Sequence, residues 1–92
     1  MSTPAPAPSS ALPAPGTVTM FTTTWCGYCR RLKSQLDREN VRYTEVDIEQ
    51  LPEAVAFVER VNGGNQTVPT VLFPDGSALT NPSAAAIRQR LG

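Results

Sequence analysis

The chain has 92 residues, which is enough for one compact domain and too few for two. Basic and acidic residues balance at 8 each, so no excess charge points to nucleic acid or to an anionic membrane as the partner. Histidine is absent, which removes the commonest metal ligand and excludes a Cys-His nucleophile pair.

The first sixteen residues, Met1 to Gly16, carry no charge and contain five of the nine prolines. Such a segment cannot bury enough apolar surface to offset its ordering entropy, so residues 1–16 are predicted to be a disordered tail before a domain of residues 17–92. The prolines interrupt any signal-like apolar run, and no stretch reaches the roughly 18 apolar residues of a membrane span. We therefore expect a cytoplasmic protein that does not bind membranes.

The first half of the domain is predicted to be strand, helix, strand. Thr17 to Thr24 is rich in β-branched and aromatic residues, as in a buried strand. From Gly27 the apolar side chains recur at spacings of three and four, which predicts an amphipathic helix. Val41 to Ile48 alternates apolar and polar residues and predicts a second strand. Its inward residues are expected to be Val41, Tyr43, Val46 and Ile48, with a possible slip between them.

The second half is predicted to be helix, hairpin, helix. Pro52 suits a first helical turn, and Asn62-Gly63-Gly64 is a helix stop. Thr67 to Phe73 predicts a strand that returns through Pro74-Asp75-Gly76 into Ser77 to Thr80.

The closing helix is predicted to begin after the hairpin, with Asn81 as its N-cap and Pro82 in its first position. The complete order β-α-β-α-β-β-α gives a four-stranded mixed sheet flanked by three helices. This is an α/β fold of the thioredoxin-like type.

The only two cysteines, Cys26 and Cys29, begin the first helix in positions i and i+3. They share a helix face, so their sulfurs can form a reversible disulfide. Cys26 faces the free N–H groups of the helix, an environment that typically lowers a cysteine pKa to about 3.5–7.5, and it is predicted to be the nucleophile. Cys29 lies one turn inside, where burial keeps it a thiol, and it is predicted to be the resolving cysteine.

Two other interpretations of the cysteine pair stay open. The cysteines could be small core residues, or they could supply two of the four ligands of a metal. A metal site would need ligands from a second chain or from a small thiol, so we predict neither a metal site nor a tightly bound cofactor. The Val68-Pro69 bond also has two interpretations, because a proline in a core strand indicates either a strand start or a cis bond.

Residues 17–92 resemble the glutaredoxin family, through the strand-to-motif junction, Thr67-Val68-Pro69 and the last helix. In that family the proline after Thr-Val is cis and lies against the active cysteines, and the residue before it offers backbone hydrogen bonds to a bound thiol peptide. The resemblance implies that Pro69 is cis and that Thr67, Val68 and Pro69 line the site.

Two glutaredoxin features are missing. Members usually have Lys or Arg three residues before the first cysteine and a Gly-Gly-x-Ser/Thr-Asp segment before the last helix, and these charges hold the ends of glutathione. Here Thr23 and the neutral residues 79–83 stand in those places. Glutathione is therefore expected to be a poor substrate.

Four segments resemble the mycoredoxins, actinobacterial members of this family that work with mycothiol: Trp-Cys-Gly-Tyr-Cys, Val-Asn-Gly-Gly-Asn, Thr-Val-Pro-Thr-Val and Asp-Gly-Ser-x-Leu-Thr-Asn-Pro-Ser. Mycothiol is a cysteinyl pseudodisaccharide, and the hydroxyl and amide groups of Thr23, Thr80, Asn81 and Ser83 could hydrogen-bond its hydroxyls. The aromatic residues beside the nucleophile either pack locally or contact substrate; both are candidate substrate contacts, namely Trp25 and Tyr28.

This resemblance implies a monomeric thiol-disulfide oxidoreductase with mycothiol as co-substrate and mycothiolated or oxidised proteins as partners. Cys26 would remove mycothiol from protein mixed disulfides, either alone or in a dithiol route that requires Cys29. Two alternatives are a redoxin reduced directly by thioredoxin reductase and an iron-sulfur carrier in which two chains and two small thiols share a cluster.

Overall fold

The computed structural model describes residues 12–91 of the chain. Its strands are β1 (Thr17–Thr22), β2 (Arg42–Asp47), β3 (Thr70–Leu72) and β4 (Ala78–Thr80). Its helices are α1 (Gly27–Arg38), α2 (Pro52–Val61) and α3 (Ala84–Leu91), with a short 3-10 helix at Ile48–Gln50. The predicted order of strands and major helices is confirmed, while the 3-10 helix was not predicted.

The four strands form one mixed sheet in the order β2-β1-β3-β4. β1 pairs in parallel with β2 and antiparallel with β3, and β3 pairs antiparallel with β4. The predicted four-stranded thioredoxin-like sheet with three helices is therefore confirmed. Because β1 is central, its carboxyl end carries the cysteine motif into the middle of the sheet edge.

The core lies on both faces of the sheet because successive side chains of β1 point to opposite faces. Met20 packs with residues of α1 and α3, whereas Phe21 packs with residues of α2. β2 divides in the same way, since Tyr43 joins the first cluster and Val46 joins the second. The possible slip does not occur, because β2 pairs with β1 in unbroken register: Tyr43 and Val46 are three positions apart and so lie on opposite faces of the sheet, both of which are covered.

The start of the last helix differs from the prediction. Asn81 is not the N-cap: its φ is +49°, and the helix begins only at Ala84. The hydroxyl of Ser83 accepts a hydrogen bond from the amide of Ala86 at 3.0 Å and takes the capping role. Pro82 therefore precedes the helix and does not occupy its first position.

The predicted tail is only partly described, because residues 1–11 lie outside the described range. Residues 12–16 are irregular and end in a turn, in which the amide and the hydroxyl of Thr17 both donate to the carbonyl of Ala14. Gly16 has a φ of +82°, which a residue without Cβ adopts readily. Within residues 12–91, no helix combines the length and the apolar character needed to cross a membrane.

Candidate functional site

The cysteine motif lies where the central strand passes into the first helix. β1 ends at Thr22, and Cys26 is the N-cap of α1 with an extended backbone (φ −85°, ψ 109°). The Sγ of Cys26 accepts a hydrogen bond from the amide of Cys29 at 3.1 Å. The sulfur thus accepts from an N–H group that has no partner within the helix, at the positive end of the helix dipole. This is the environment expected for a nucleophilic thiolate.

Cys26 and Cys29 are joined by a disulfide, with their Cα atoms 5.3 Å apart. They differ in exposure, since Cys26 retains 5% of its surface and Cys29 only 1%. Cys29 lies on the buried stripe of α1 with Leu32 and Leu36, as the helical spacing predicts. Cys26 is thus the sulfur nearer to solvent, and Cys29 is the better shielded.

The loop before β3 faces the cysteine pair. The Val68-Pro69 peptide bond is cis, as the family resemblance predicts. The carbonyl oxygen of Val68 lies 3.9 Å from the Sγ of Cys26, and Pro69 is buried beside it. The structure therefore brings Val68 and Pro69 to Cys26, and half-buried Thr67 precedes them in the same loop.

The two aromatic residues of the motif project into solvent. Trp25 is 68% exposed and Tyr28 is 64% exposed, so neither packs in the core. The indole of Trp25 donates to the carboxylate of Glu49 at 3.1 Å, and the guanidinium of Arg31 lies 5.8 Å from the centre of the Tyr28 ring. Both rings are accessible to a partner that approaches Cys26.

Thr80 and Asn81 close the other side of the loop. The amide of Asn81 donates to the carbonyl of Pro69 at 2.7 Å, which brings this residue to the cis proline. The Asn81 residue is exposed, whereas the hydroxyl of Thr80 donates to the side-chain oxygen of Asn62. Asn81 is therefore the more available of the two for contact with a ligand.

The hydroxyl of Thr23 is less accessible than its position before the motif predicts. The residue is 6% exposed, and among residues 12–91 its Oγ1 is a buried side-chain oxygen with no hydrogen-bond partner. The expectation that this hydroxyl is presented to a bound thiol is wrong, because the oxygen is covered by protein. Ser83 likewise uses its hydroxyl to cap α3.

A cavity of about 450 Å³ lies beside the motif, lined by Thr22, Thr23, Thr24, Arg30, Lys33, Glu45 and Asp47. Lys33 pairs with Glu45 at 3.0 Å, and the hydroxyl of Thr22 donates to the same carboxylate at 2.8 Å. Burial alone would raise the pKa of Glu45, but these hydrogen bonds and the lysine charge outweigh it and hold the pKa below its ordinary value.

This ion pair could not be predicted from the sequence, because its partners come from different elements. Lys33 lies on α1 and Glu45 on β2, twelve positions apart. Glu45 breaks the apolar alternation of β2, which is the signal that could have marked it.

No three Cys, His, Asp or Glu side chains among residues 12–91 are grouped closely enough to hold a metal ion.

These features together define a class of protein. The two cysteines lie at a helix N-terminus on a thioredoxin-like sheet, and they close a disulfide beside a cis proline. This is the arrangement of a thiol-disulfide oxidoreductase. The glutaredoxin family model matches residues 18–77. The chain belongs to the glutaredoxin family.

Individual glutaredoxins and a mycoredoxin are similar to this chain over most of its length. A candidate glutaredoxin of Mycobacterium tuberculosis (strain H37Rv) is 57% identical over 74 residues, covering 80% of this chain and 88% of the relative. Mycoredoxin 1 of Corynebacterium glutamicum is 46% identical over 70 residues, covering 76% and 86%. The crystal structure of the glutaredoxin from Methanosarcina mazei Go1 superposes with a TM-score of 0.71 at 29% identity, covering 84% of this chain and 79% of that one. The chain is thus similar to a mycoredoxin as well as to glutaredoxins.

Proposed function

We propose that this glutaredoxin reduces mixed disulfides between proteins and mycothiol, in the cytoplasm and as a monomer. The Cys26 thiolate attacks the mycothiol sulfur, so that a Cys26–mycothiol disulfide forms and the protein–mycothiol disulfide breaks. The protein sulfur leaves as a thiolate and takes a proton from solvent. A second mycothiol then attacks the Cys26 adduct, which releases oxidised mycothiol and restores the Cys26 thiolate.

The observation that carries the choice of thiol is that neutral residues stand at the two places where glutaredoxins carry the charges that hold glutathione, Thr23 and residues 79–83. Exposed Thr80 and Asn81 adjoin the cis-proline loop, and neutral Thr23 stands three residues before Cys26. A tripeptide thiol with charged ends would lose its charged partners at these two places, whereas a polyhydroxylated thiol needs only hydrogen-bonding groups such as the Asn81 amide. The 46% identity to Mycoredoxin 1 supports the same thiol.

The proposed binding mode uses the backbone of the loop and the aromatic residues of the motif. The amide of half-buried Val68 would bond the cysteinyl part of mycothiol, with Thr67 and Pro69 forming the wall behind it. The exposed rings of Trp25 and Tyr28 would contact the target protein or the sugar.

The test is a coupled turnover assay with a protein that carries mycothiol as a mixed disulfide. We expect turnover of this protein with mycothiol and its flavin-dependent reductase, and at least tenfold slower turnover of the same protein carrying glutathione with glutathione and glutathione reductase. Equal rates with the two thiols would contradict the proposed specificity. Cys29→Ser should keep most of the activity and Cys26→Ser none; an equal loss in both would contradict the monothiol route.

A second candidate is a dithiol redoxin that thioredoxin reductase reduces directly. The disulfide between Cys26 and Cys29 favours it, because such a reductase needs an internal disulfide to attack. Turnover with thioredoxin reductase and NADPH, without any small thiol, would support this candidate. Loss of that turnover in Cys29→Ser would confirm that the internal disulfide is the species reduced.

A further inference from the structure

Asn62 lies in the Val-Asn-Gly-Gly-Asn segment, which the sequence explains only as a helix stop. It is the C-cap of α2, and its backbone amide donates to the carbonyl of Val58 at 3.0 Å. Its side-chain amide adds a second bond to the same carbonyl at 2.8 Å. These two bonds end the helix, but they use only part of the hydrogen-bonding capacity of the side chain.

The rest of that side chain connects three separate elements. Its Nδ2 also donates to the hydroxyl of Thr70 at 3.1 Å, and its Oδ1 accepts from the hydroxyl of Thr80. Thr70 begins β3 and Thr80 ends β4, so the asparagine joins the end of α2 to both strands of the hairpin. An amide serves here because it donates and accepts at once.

The connection continues into the loop that faces the cysteines. The hydroxyl of Thr70, which is completely buried, donates to the carbonyl of Thr67 at 2.8 Å and so spans Val68 and Pro69. The chain of bonds therefore runs from Asn62 through Thr70 to Thr67. The amide of Asn81 holds the same loop from the other side through the carbonyl of Pro69.

We propose that Asn62 is a positioning residue that fixes the Thr67-Val68-Pro69 loop so that the Val68 backbone faces Cys26. The Val68 carbonyl lies 3.9 Å from the Cys26 sulfur, so a shift of the loop would change how this backbone faces the nucleophile. Asn62 touches neither sulfur; it reaches the loop through Thr70 and Thr67, and its bond to Thr80 lies next to Asn81, which holds the loop at Pro69. The inference rests on the proposed function only in taking Cys26 as the nucleophile and Val68 as the backbone that binds a thiol peptide.

The test compares Asn62→Ala with Asn65→Ala as a matched control. Asn65 is an exposed asparagine in the same segment, and within residues 12–91 its side chain donates only to the carbonyl of Asn62. With a cysteinyl peptide disulfide as substrate, Asn62→Ala should raise KM about three- to tenfold, which corresponds to the loss of one or two hydrogen bonds between substrate and loop. Asn65→Ala should leave KM unchanged.

Two further readouts separate positioning from a general loss of structure. The rate of alkylation of reduced Cys26 by iodoacetamide, and the single-turnover rate at which the reduced protein reacts with hydroxyethyl disulfide, should be the same in Asn62→Ala and wild type, because neither reagent has a peptide backbone. Amide exchange at Asn81 should accelerate in Asn62→Ala and also in Thr70→Val, which keeps the bond between Asn62 and Thr80, since the partner of this amide, Pro69, lies in the released loop. This exchange decides the inference even if no thiol substrate is turned over.

A second variant tests the same connection without changing the C-cap of α2. Thr70→Val keeps the shape of the side chain but removes the hydroxyl that links Asn62 to Thr67. It should reproduce the KM increase, and combining it with Asn62→Ala should add less than twofold, because both act through one connection. An unchanged KM in both single variants, unchanged exchange at Asn81, or full multiplication of the two effects would overturn the proposal.

Discussion

Two adjacent threonines should respond in opposite directions to the same substitution. Thr22 and Thr23 are both buried, but the hydroxyl of Thr22 donates to Glu45 at 2.8 Å, whereas the hydroxyl of Thr23 has no partner among residues 12–91. Valine keeps the shape of threonine and removes the hydroxyl. Thr23→Val should therefore stabilise the fold, while Thr22→Val should destabilise it.

The magnitudes follow from the state of each hydroxyl. A buried polar group without a partner costs about 1–3 kcal/mol, so Thr23→Val should raise the free energy of unfolding by about 1 kcal/mol. A hydrogen bond to a charged group contributes about 1.5–3 kcal/mol, and the partial exposure of Glu45 places the loss in Thr22→Val near the lower end, at about 1.5 kcal/mol. For a domain of this size, each kcal/mol moves Tm by about 4–8 °C.

The assay is urea unfolding of the oxidised protein, followed by circular dichroism and checked by thermal unfolding. Both variants keep the disulfide, so the cross-link contributes equally to each comparison. Activity of Thr23→Val should equal that of wild type, because its hydroxyl is covered. A loss of stability in Thr23→Val of 1 kcal/mol or more, about fivefold in the unfolding equilibrium, would refute the reasoning, since it would require a partner for this hydroxyl.

Two further predictions concern stability. The pKa of Glu45 is held below its ordinary value of 4.5, so the stability from its bonds is present above that pH and is lost as the pH falls through the folded-state pKa. Lys33→Met should flatten this loss of stability in urea unfolding as the pH is lowered below 4.5, and parallel curves for variant and wild type would contradict it. Ser83→Ala should lower the free energy of unfolding by about 1 kcal/mol in urea, because it removes the cap of α3, and no change would show that the cap is dispensable.

The sequence predicts the fold well because its local signals agree with one another. The apolar alternation, the helical spacing after Gly27 and the turn at Pro74-Asp75-Gly76 each define one element, and their order permits few topologies. The helix that begins at the motif also places Cys26 at its N-terminus and Cys29 on its buried face. The two cysteines and their difference in burial could therefore be predicted from spacing alone.

The failures have a common physical cause in contacts between elements distant in the chain. Asn81 and Ser83 are both good capping residues, and only the left-handed backbone of Asn81 decides between them. Thr23 occupies the place of a ligand-binding residue by position, yet the fold covers its hydroxyl. The second role of Asn62 depends on Thr70 and Thr80, which reach it only after the hairpin forms.

The most direct test of the central claim is to identify which group Cys26 takes from a mixed disulfide. Cys29→Ser, reduced beforehand, would be mixed with one target protein carrying mycothiol on half of its molecules and glutathione on the other half. Intact mass measurement of the variant at early times should show the mycothiol adduct on Cys26 and little glutathione adduct. A glutathione adduct that forms as fast as the mycothiol adduct, or an adduct with the whole target protein, would contradict the account.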